Sequence, residues 1–227
     1  MELAIDTSTE TASVVLSLRG KVIAESSWQA GRNHTVELMP RLIQLLSQAG
    51  ASLKDVGGII VAKGPGSFSG LRVGMSVAKG LVLALGVPVV GISTLEVEAF
   101  PNAGTSLPVC PILDAGRGEI AAALFCLDDG KWRRLVEEHI TVIDSLIAGI
   151  ADSTVFCGRI PGEVAARLME KLGEKVLMPP EVRGLERASS LAGLGWGRLE
   201  AGDFDHSPTL QPLYLRRPSI TFSSKKR

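Results

Sequence analysis

An internal repeat restricts the possible folds of this chain more than any other feature of its sequence. Residues 3–6 (LAID) align without gaps with residues 111–114 (PILD), and the alignment continues from residues 13–16 into residues 121–124. In each copy an apolar strand ends at an aspartate, and a small or polar turn leads into a returning strand. A repeated order of strands and turns predicts two halves of similar topology.

Each half is predicted to have an α/β structure, with residues 1–104 forming the N-terminal half and residues 105–227 the C-terminal half. Hydrophobic residues make up 45% of the chain but aromatic residues only 4%, so the core must be aliphatic. An aliphatic core is typical of mixed sheets, rich in parallel strands, that are covered by helices. Apolar periodicity predicts helices over residues 34–49, 70–85, 93–99, 142–150, 162–172 and 185–201. We expect the last of these helices to be able to pack back on the first half.

Charge and segment composition bear on location and on nucleic-acid binding. The formal net charge is zero, so no global positive field would hold nucleic acid, and any contact with RNA must be local or belong to a partner. The basic cluster of Arg216, Arg217 and residues 225–227 is interpreted as a solvated terminus. The N-terminus lacks the pattern of a signal peptide, and residues 81–90 are too short to span a bilayer. We therefore expect a cytoplasmic protein with no membrane segment.

The polar turn after the first strand is a candidate phosphate or metal site. Asp6 ends that strand and is followed by Thr7 and Ser8, and Asp114 holds the equivalent place in the second copy. A strand-fixed carboxylate with nearby hydroxyls suits a hydrated metal or a phosphate. The alternative is that Asp6 only begins a turn. The paired motifs resemble the actin, Hsp70 and sugar-kinase (ASKHA) superfamily, and that resemblance implies duplicated halves around a nucleotide cleft.

A glycine-rich loop precedes the second predicted helix. Gly64, Gly66 and Ser67 lie in this loop, which leads into a helix N-terminus that attracts negative charge. Glycines allow close backbone approach, so the loop favours either anion binding or tight packing against a neighbour. It lacks the spacing of a Walker A loop.

Two predicted helices carry more apolar residues than one sheet face needs. In the helix over residues 34–49 the surplus residues are Leu38, Leu42 and Leu45. The helix over residues 70–85 adds a line of small side chains together with apolar and basic neighbours, namely Gly70, Leu71, Gly74, Met75, Ala78, Lys79 and Val82. We expect these residues to form a partner interface. The alternative is that both helices are buried within the monomer.

Several motifs together resemble the TsaB family, also called YeaZ. The densest similarity covers residues 64–74 (GPGSFSGLRVG) and 78–81 (AKGL), and residues 5–8 and 91–95 add to it. Residues 212–216 (PLYLR) are similar to the family's C-terminal signature. The resemblance implies a non-catalytic subunit in the synthesis of threonylcarbamoyladenosine beside the anticodon of tRNAs that read codons starting with A. It also implies a heterodimer with the catalytic paralogue TsaD, a contact with the ATPase TsaE, and tRNA bound through the complex, with self-association of the lone chain left open.

The resemblance also bears on catalysis and cofactors. TsaD carries two metal-binding histidines four residues apart, whereas the matching positions here are Thr94 and Glu98. A hydroxyl and one carboxylate make a poor transition-metal site, so we expect no metal and no catalytic residue. Gly158 followed by Arg159 replaces the superfamily's glycine pair, so we expect no ATP or ADP, and the cleft is interpreted as vestigial. The alternatives are a small-molecule kinase or ATPase of the same superfamily and, less favoured, a metallopeptidase.

Overall fold

The computed structural model describes residues 1–31, 33–181 and 184–216. Arg217 and residues 225–227 of the predicted basic cluster therefore lie outside the described residues.

The first half is built on a mixed five-stranded sheet. The elements of this half are β1 (Glu2–Asp6), β2 (Thr11–Leu18), β3 (Lys21–Gln29), α1 (His34–Gln48), β4 (Gly58–Gly64), α2 (Phe68–Leu85), β5 (Val89–Ser93) and α3 (Thr94–Ala99). Strands β1, β2 and β3 form an antiparallel meander, and β4 and β5 extend the sheet in parallel beyond β1, giving the order β3-β2-β1-β4-β5.

The second half repeats this topology. Its elements are β6 (Val109–Gly116), β7 (Glu119–Asp128), β8 (Lys131–Thr141), α4 (Ile143–Ala148), β9 (Thr154–Arg159), α5 (Gly162–Leu172), β10 (Val176–Leu177) and α6 (Leu185–Glu200). The sheet has the order β10-β9-β6-β7-β8: β6, β7 and β8 form an antiparallel meander, and β9 and β10 lie parallel on the other side of β6. Asp6 and Asp114 both lie near the end of the first strand of their sheet, as the sequence repeat predicts.

Helices and sheets alternate in layers because each sheet buries both of its faces. Side chains alternate along a strand, so β1 directs Leu3 and Ile5 to one core and Ala4 to another. Helices α1 and α2 cover one face of the first sheet, while α6 and Val97 of α3 cover the other. Helix α3 also packs on the second sheet through Leu95, and α4 and α5 cover that sheet's outer face. The core is aliphatic, as the composition predicts.

Helix α6 follows the second half in sequence but packs on the first sheet. Its buried Ala188, Leu191 and Ala192 share a core with residues of β1, β2, β4 and β5. A Cβ built on Gly195 would lie 2.5 Å from the side chain of Ile60, so a glycine is required for this close approach. This helix therefore belongs to the core of the first half, although the chain reaches it from the second half.

A segment that we call the C-terminal strap, residues 203–216, then returns across the first half. Asp205 accepts a hydrogen bond of 2.7 Å from the Gly91 amide, and the Leu213 amide donates one of 2.6 Å to the Lys63 carbonyl. Leu210 is 7% exposed and joins the core under α1 and α2. The strap is thus part of the folded domain.

Among the described residues, one helix is long and apolar enough to cross a membrane by length and composition. This helix is α2, with a mean hydropathy of 1.4. Its inner face packs on β4 and β1, and a helix at the core of a soluble domain has the same length and composition.

Candidate functional site

The turn after β1 is buried, and its polar groups are bonded within the chain. The Ser8 amide and hydroxyl both donate to Oδ1 of Asp6, at 2.8 and 2.6 Å. The Thr7 hydroxyl donates to the Gly70 carbonyl at 2.7 Å. All three side chains of this turn are almost fully buried. The turn therefore presents no open row of hydroxyls to solvent.

The glycines of the loop and of α2 allow the helix to approach this turn closely. A Cβ on Gly66 or on Gly70 would collide with the carbonyl oxygen of Ser8 or of Thr7, respectively, and one on Gly74 would collide with the Thr7 hydroxyl. The Ser67 amide donates to the Ser8 carbonyl at 2.7 Å, and the Ser67 hydroxyl caps α2 by accepting from the Gly70 amide at 3.2 Å. Of the two alternatives left open by the sequence, these contacts favour tight packing over anion binding.

Arg187, on the first turn of α6, occupies the space beside Asp6. Its Nε donates to Asp6 Oδ2 at 2.9 Å, and its Nη2 lies 2.8 Å from the same oxygen and 3.2 Å from the Ser8 hydroxyl. Its Nη1 is ion-paired with Oε1 of Glu98, from the end of α3. Asp6 and Glu98 are 1% and 2% exposed, so one guanidinium serves two buried carboxylates. We call these three side chains the Arg187 cluster.

The electrostatics of the Arg187 cluster follow from its burial. Burial raises the pKa of Glu98; Arg187 opposes this increase, and the charge of Asp6 adds to it. For Arg187, burial acts to lower the pKa, but the charges of Asp6 and Glu98 raise it, so the guanidinium remains ionised. The cluster therefore combines a guanidinium that stays charged with the Glu98 carboxyl group, whose negative charge Arg187 only partly balances.

The second half holds its aspartate differently. Asp114 is exposed and accepts a hydrogen bond of 2.7 Å from the Gly116 amide. It lines a cavity of about 550 Å³ together with Gly158 and Arg159. A Cβ on Gly158 would lie 2.6 Å from the Ile112 carbonyl oxygen, so this glycine serves the packing of β9 on β6. The two repeated aspartates thus have unlike surroundings, one buried and paired with an arginine and the other open to solvent.

The two positions that match the metal-binding histidines of TsaD are four residues apart on α3. Thr94 is fully buried and its Oγ1 has no hydrogen-bond partner among the described residues, while Glu98 belongs to the Arg187 cluster. In the described part of the chain, no group of three or more His, Cys, Asp or Glu side chains is arranged to hold a metal ion. Burial raises the pKa of the Cys110 thiol to about 12, so this thiol is not a nucleophile near neutral pH.

The predicted interface surface is wrong for most of its residues. The structure buries eight of the ten in the core of the monomer or against β1 and its turn: Leu38, Leu42, Leu45, Gly70, Leu71, Gly74, Met75 and Ala78. The physical reason is that α1 and α2 pack side by side on one face of the sheet, so each helix needs a wide apolar stripe. The line of small residues does permit close backbone approach, but to the chain's own turn at Thr7. Lys79 and Val82 remain partly exposed.

Other apolar side chains on these helices do face solvent. Leu83 on α2 is 87% exposed, and Val36 and Ile43 on α1 are 69% and 47% exposed. Phe68, at the start of α2, is also exposed and contacts Tyr214 of the strap at a ring distance of 5.1 Å. The outer faces of α1 and α2 therefore carry exposed apolar side chains that are not among the residues predicted for the interface.

Two functional features were not predicted from the sequence. Arg187 gives one local signal, since it lies four residues before the buried Leu191 on the face of α6 that packs on the first sheet. Its partners are distant in sequence, so no local pattern identifies them. The packing of Arg72 over Phe68 and its hydrogen bond of 3.0 Å to the Tyr214 hydroxyl leave no comparable signal.

The duplicated sheets, with α3 packed on both of them, form an actin, Hsp70 and sugar-kinase-like fold. The proposed N-acetylmannosamine kinase Lmo2764 of Listeria monocytogenes shares this fold, with a TM-score of 0.50 over 88% of this chain and 99% of that chain at 13% identity. YeaZ from Pseudomonas aeruginosa is more similar, with a TM-score of 0.74 over 93% of this chain and 99% of that chain at 25% identity.

Sequence comparison then gives the particular family. The sequence model of TsaD, tRNA N6-adenosine threonylcarbamoyltransferase, matches residues 24–196. The tRNA threonylcarbamoyladenosine biosynthesis protein TsaB of Bacillus subtilis is 32% identical over 94% of this chain and 93% of its own length. TsaB of Haemophilus influenzae is 40% identical over 82% of this chain and 84% of its own length. The chain belongs to the TsaB (YeaZ) family, as the sequence motifs indicate.

Proposed function

We propose that this chain is a non-catalytic subunit in the formation of threonylcarbamoyladenosine in tRNA. The observation that carries the proposal is the match to TsaB of Bacillus subtilis over 94% of the chain, since that protein is named for this pathway. The chain would pair with a TsaD-like catalytic paralogue and a TsaE-like ATPase, and would meet tRNA through the complex. A role in tRNA modification also implies a cytoplasmic location.

The Arg187 cluster supports the non-catalytic part of this proposal. The superfamily resemblance implies that the two repeated aspartates flank a nucleotide cleft, and here the carboxylate at the end of the first strand is buried and paired with an arginine. A nucleotide-bound metal ion would have to displace the guanidinium and leave it unpaired in a buried place, which costs several kcal/mol. The chain therefore lacks a free carboxylate at the end of β1 for a kinase or ATPase reaction.

The outer faces of α1 and α2 are the proposed docking surface for the TsaD-like paralogue. Three strongly exposed aliphatic side chains, Val36, Ile43 and Leu83, project from them, with Lys79 and Val82 nearby in sequence. Burying apolar side chains away from water lowers the free energy of the complex. This surface would therefore suit a pair of helices on the paralogue.

An omission experiment tests the proposal. Purified chain, TsaD-like paralogue and TsaE-like ATPase are combined with unmodified tRNA, ATP and the threonylcarbamoyl donor, and each protein is left out in turn. We expect modified nucleoside only in the complete mixture, and neither transfer nor ATP hydrolysis by this chain alone. Full transfer without the chain contradicts the proposal, and ATP hydrolysis by the chain alone favours a kinase or ATPase.

A further inference from the structure

The two halves differ in the helix that follows the antiparallel meander and covers one face of the sheet. In the first half this helix is α1, which has 15 residues and buries Leu38, Leu42 and Leu45 against β2 and β3. In the second half it is α4, which has six residues, none of them buried, and which contacts α5. The outer face of β7 and β8 is therefore covered by a much shorter helix than the equivalent face of the first sheet.

A cavity of about 140 Å³ lies beside α4 at this face of the second sheet. Most of its wall is apolar and comes from β6, β7, β8 and the region of α4, through Cys110, Leu124, Val136, Leu146 and Ile150. Cys110 is fully buried and Val136 is 43% exposed, so the wall extends from the core to the surface. An apolar cavity of about 150 Å³ can hold a benzene ring. The cavity is therefore of the size that suits one small aromatic ring.

One polar side chain of the wall has a defined hydrogen-bonding role. Nδ1 of His139 lies 2.8 Å from the Glu137 carbonyl oxygen. Because a carbonyl oxygen only accepts, Nδ1 donates, and Nε2 of the neutral imidazole is then an acceptor. Among the described residues, none that line the cavity is a lysine or an arginine, so an anion would lose its hydration there without gaining a counter-charge. The wall thus suits a neutral ligand with one hydrogen-bond donor.

We propose that this cavity is a binding site for a small neutral aromatic molecule that carries one hydroxyl or amine group. The ring contacts the apolar wall formed by Cys110, Leu124 and Leu146, and the donor group bonds to Nε2 of His139. The ligand supplies contacts that the atoms of the wall otherwise lack, so its binding stabilises α4 on the second sheet. This site lies on the second half, whereas the proposed docking surface for the paralogue lies on α1 and α2, so the two are tested separately.

Phenol and toluene are matched probes of this site, since they are similar in shape and only phenol has a hydrogen-bond donor. Each is titrated into the full chain by calorimetry. We expect one phenol per chain with a Kd of about 1 mM or tighter, which a ligand of this size can reach. His139→Leu should weaken phenol binding by at least about 5-fold, because the buried hydroxyl is left unpaired, and should change toluene binding by less than about 2-fold.

A filling substitution locates the binding site. Cys110→Met extends a longer side chain into the cavity, so the affinity for both probes should fall by at least about 10-fold. The matched control is Cys126→Met, at a half-buried cysteine of β7 that does not line the cavity, and it should bind both probes as wild type does. If Cys110→Met does not fold, Ser145→Leu replaces it, since Ser145 lines the cavity from an exposed position on α4.

Wild type that binds neither probe up to its solubility limit overturns the proposal. Undiminished binding by a folded Cys110→Met or by Ser145→Leu also overturns it, because the probes then bind elsewhere. If His139→Leu loses phenol and toluene affinity equally, the hydrogen bond to His139 is not part of the site, and the donor-bearing ligand class is wrong.

Discussion

The polar residues at the end of β1 show how neighbouring side chains decide what a carboxylate can do. Asp6 accepts bonds from Ser8 and from Arg187, and Thr7 donates to a carbonyl of α2. Hydrogen-bonded and buried groups of this kind stabilise the turn, since leaving any one of them unpaired costs about 1–3 kcal/mol. The same residues in an open cleft would be ligands, and here they serve the structure of the chain.

Gly70→Ala tests the close contact between α2 and this turn. The added Cβ would collide with the Thr7 carbonyl oxygen, so we expect the free energy of unfolding to fall by about 1–3 kcal/mol. Gly80→Ala, on the same helix, is the matched control, since nothing lies within 4 Å of its Cβ position. That control should gain about 0.5–1 kcal/mol from helix propensity. Denaturant unfolding measures both, and equal effects would contradict the packing described.

Glu98→Gln tests the electrostatics of the Arg187 cluster. Burial raises the pKa of Glu98 above 4.5, so the folded chain binds a proton at a pH where the unfolded chain has released it. Stability therefore falls as pH rises from 4.5 through the raised pKa. We expect wild type to lose stability relative to Glu98→Gln as pH rises above 4.5 in denaturant titrations. A difference between the two proteins that stays constant with pH would contradict this account.

At the scale of elements, the C-terminal strap contributes a buried apolar side chain to the core, as a helix does. Leu210 is almost fully buried under α1 and α2, whereas Phe204, earlier in the strap, is exposed. We expect Leu210→Ala to lower the free energy of unfolding by about 2–3 kcal/mol through lost burial and a cavity. Phe204→Ala should change it by less than about 0.5 kcal/mol. Equal effects in thermal unfolding would show that the strap is only loosely attached.

Leu83→Asp tests the docking surface on α2. Leu83 is the most exposed large apolar residue in the described part of the chain, so the variant should fold as wild type does. If the outer faces of α1 and α2 bind the TsaD-like paralogue, a charge there should weaken pairing by at least about 2 kcal/mol, or 30-fold. Leu135→Asp, at a residue of β8 that is 53% exposed, is the matched control. Size-exclusion chromatography with the paralogue measures pairing, and undiminished pairing of Leu83→Asp places the interface elsewhere.

The sequence predicts elements better than it predicts which helix face is buried. Apolar periodicity predicts α5 at its observed limits and α1 and α2 to within two residues, because Gly50 and Gly86 mark helix ends. Strand β10 has two residues, too few for a pattern. The predicted interface residues lie on the inner faces of α1 and α2, because both faces of these helices carry aliphatic residues. Periodicity alone cannot show that two helices share one sheet face.

At the scale of the whole molecule, the repeated strand and aspartate predict the duplicated sheets. They do not predict that Arg187 covers Asp6 at the end of β1. The repeat predicts that Asp6 and Asp114 lie at equivalent positions, and the topology has them there. Arg187 reaches Asp6 only because α6 leaves the second half and packs on the first sheet. Such a contact between distant parts of the chain depends on the complete fold, so a local motif cannot predict it.

Depletion of the protein from its own cells tests the central claim most directly. Bulk tRNA is digested to nucleosides, and threonylcarbamoyladenosine is measured by mass spectrometry before and after depletion, with wild type and Leu83→Asp returned on a plasmid. We expect the modified nucleoside to fall at least 10-fold on depletion, to recover with wild type, and to remain low with Leu83→Asp. Unchanged threonylcarbamoyladenosine in depleted cells would contradict the role proposed for this chain.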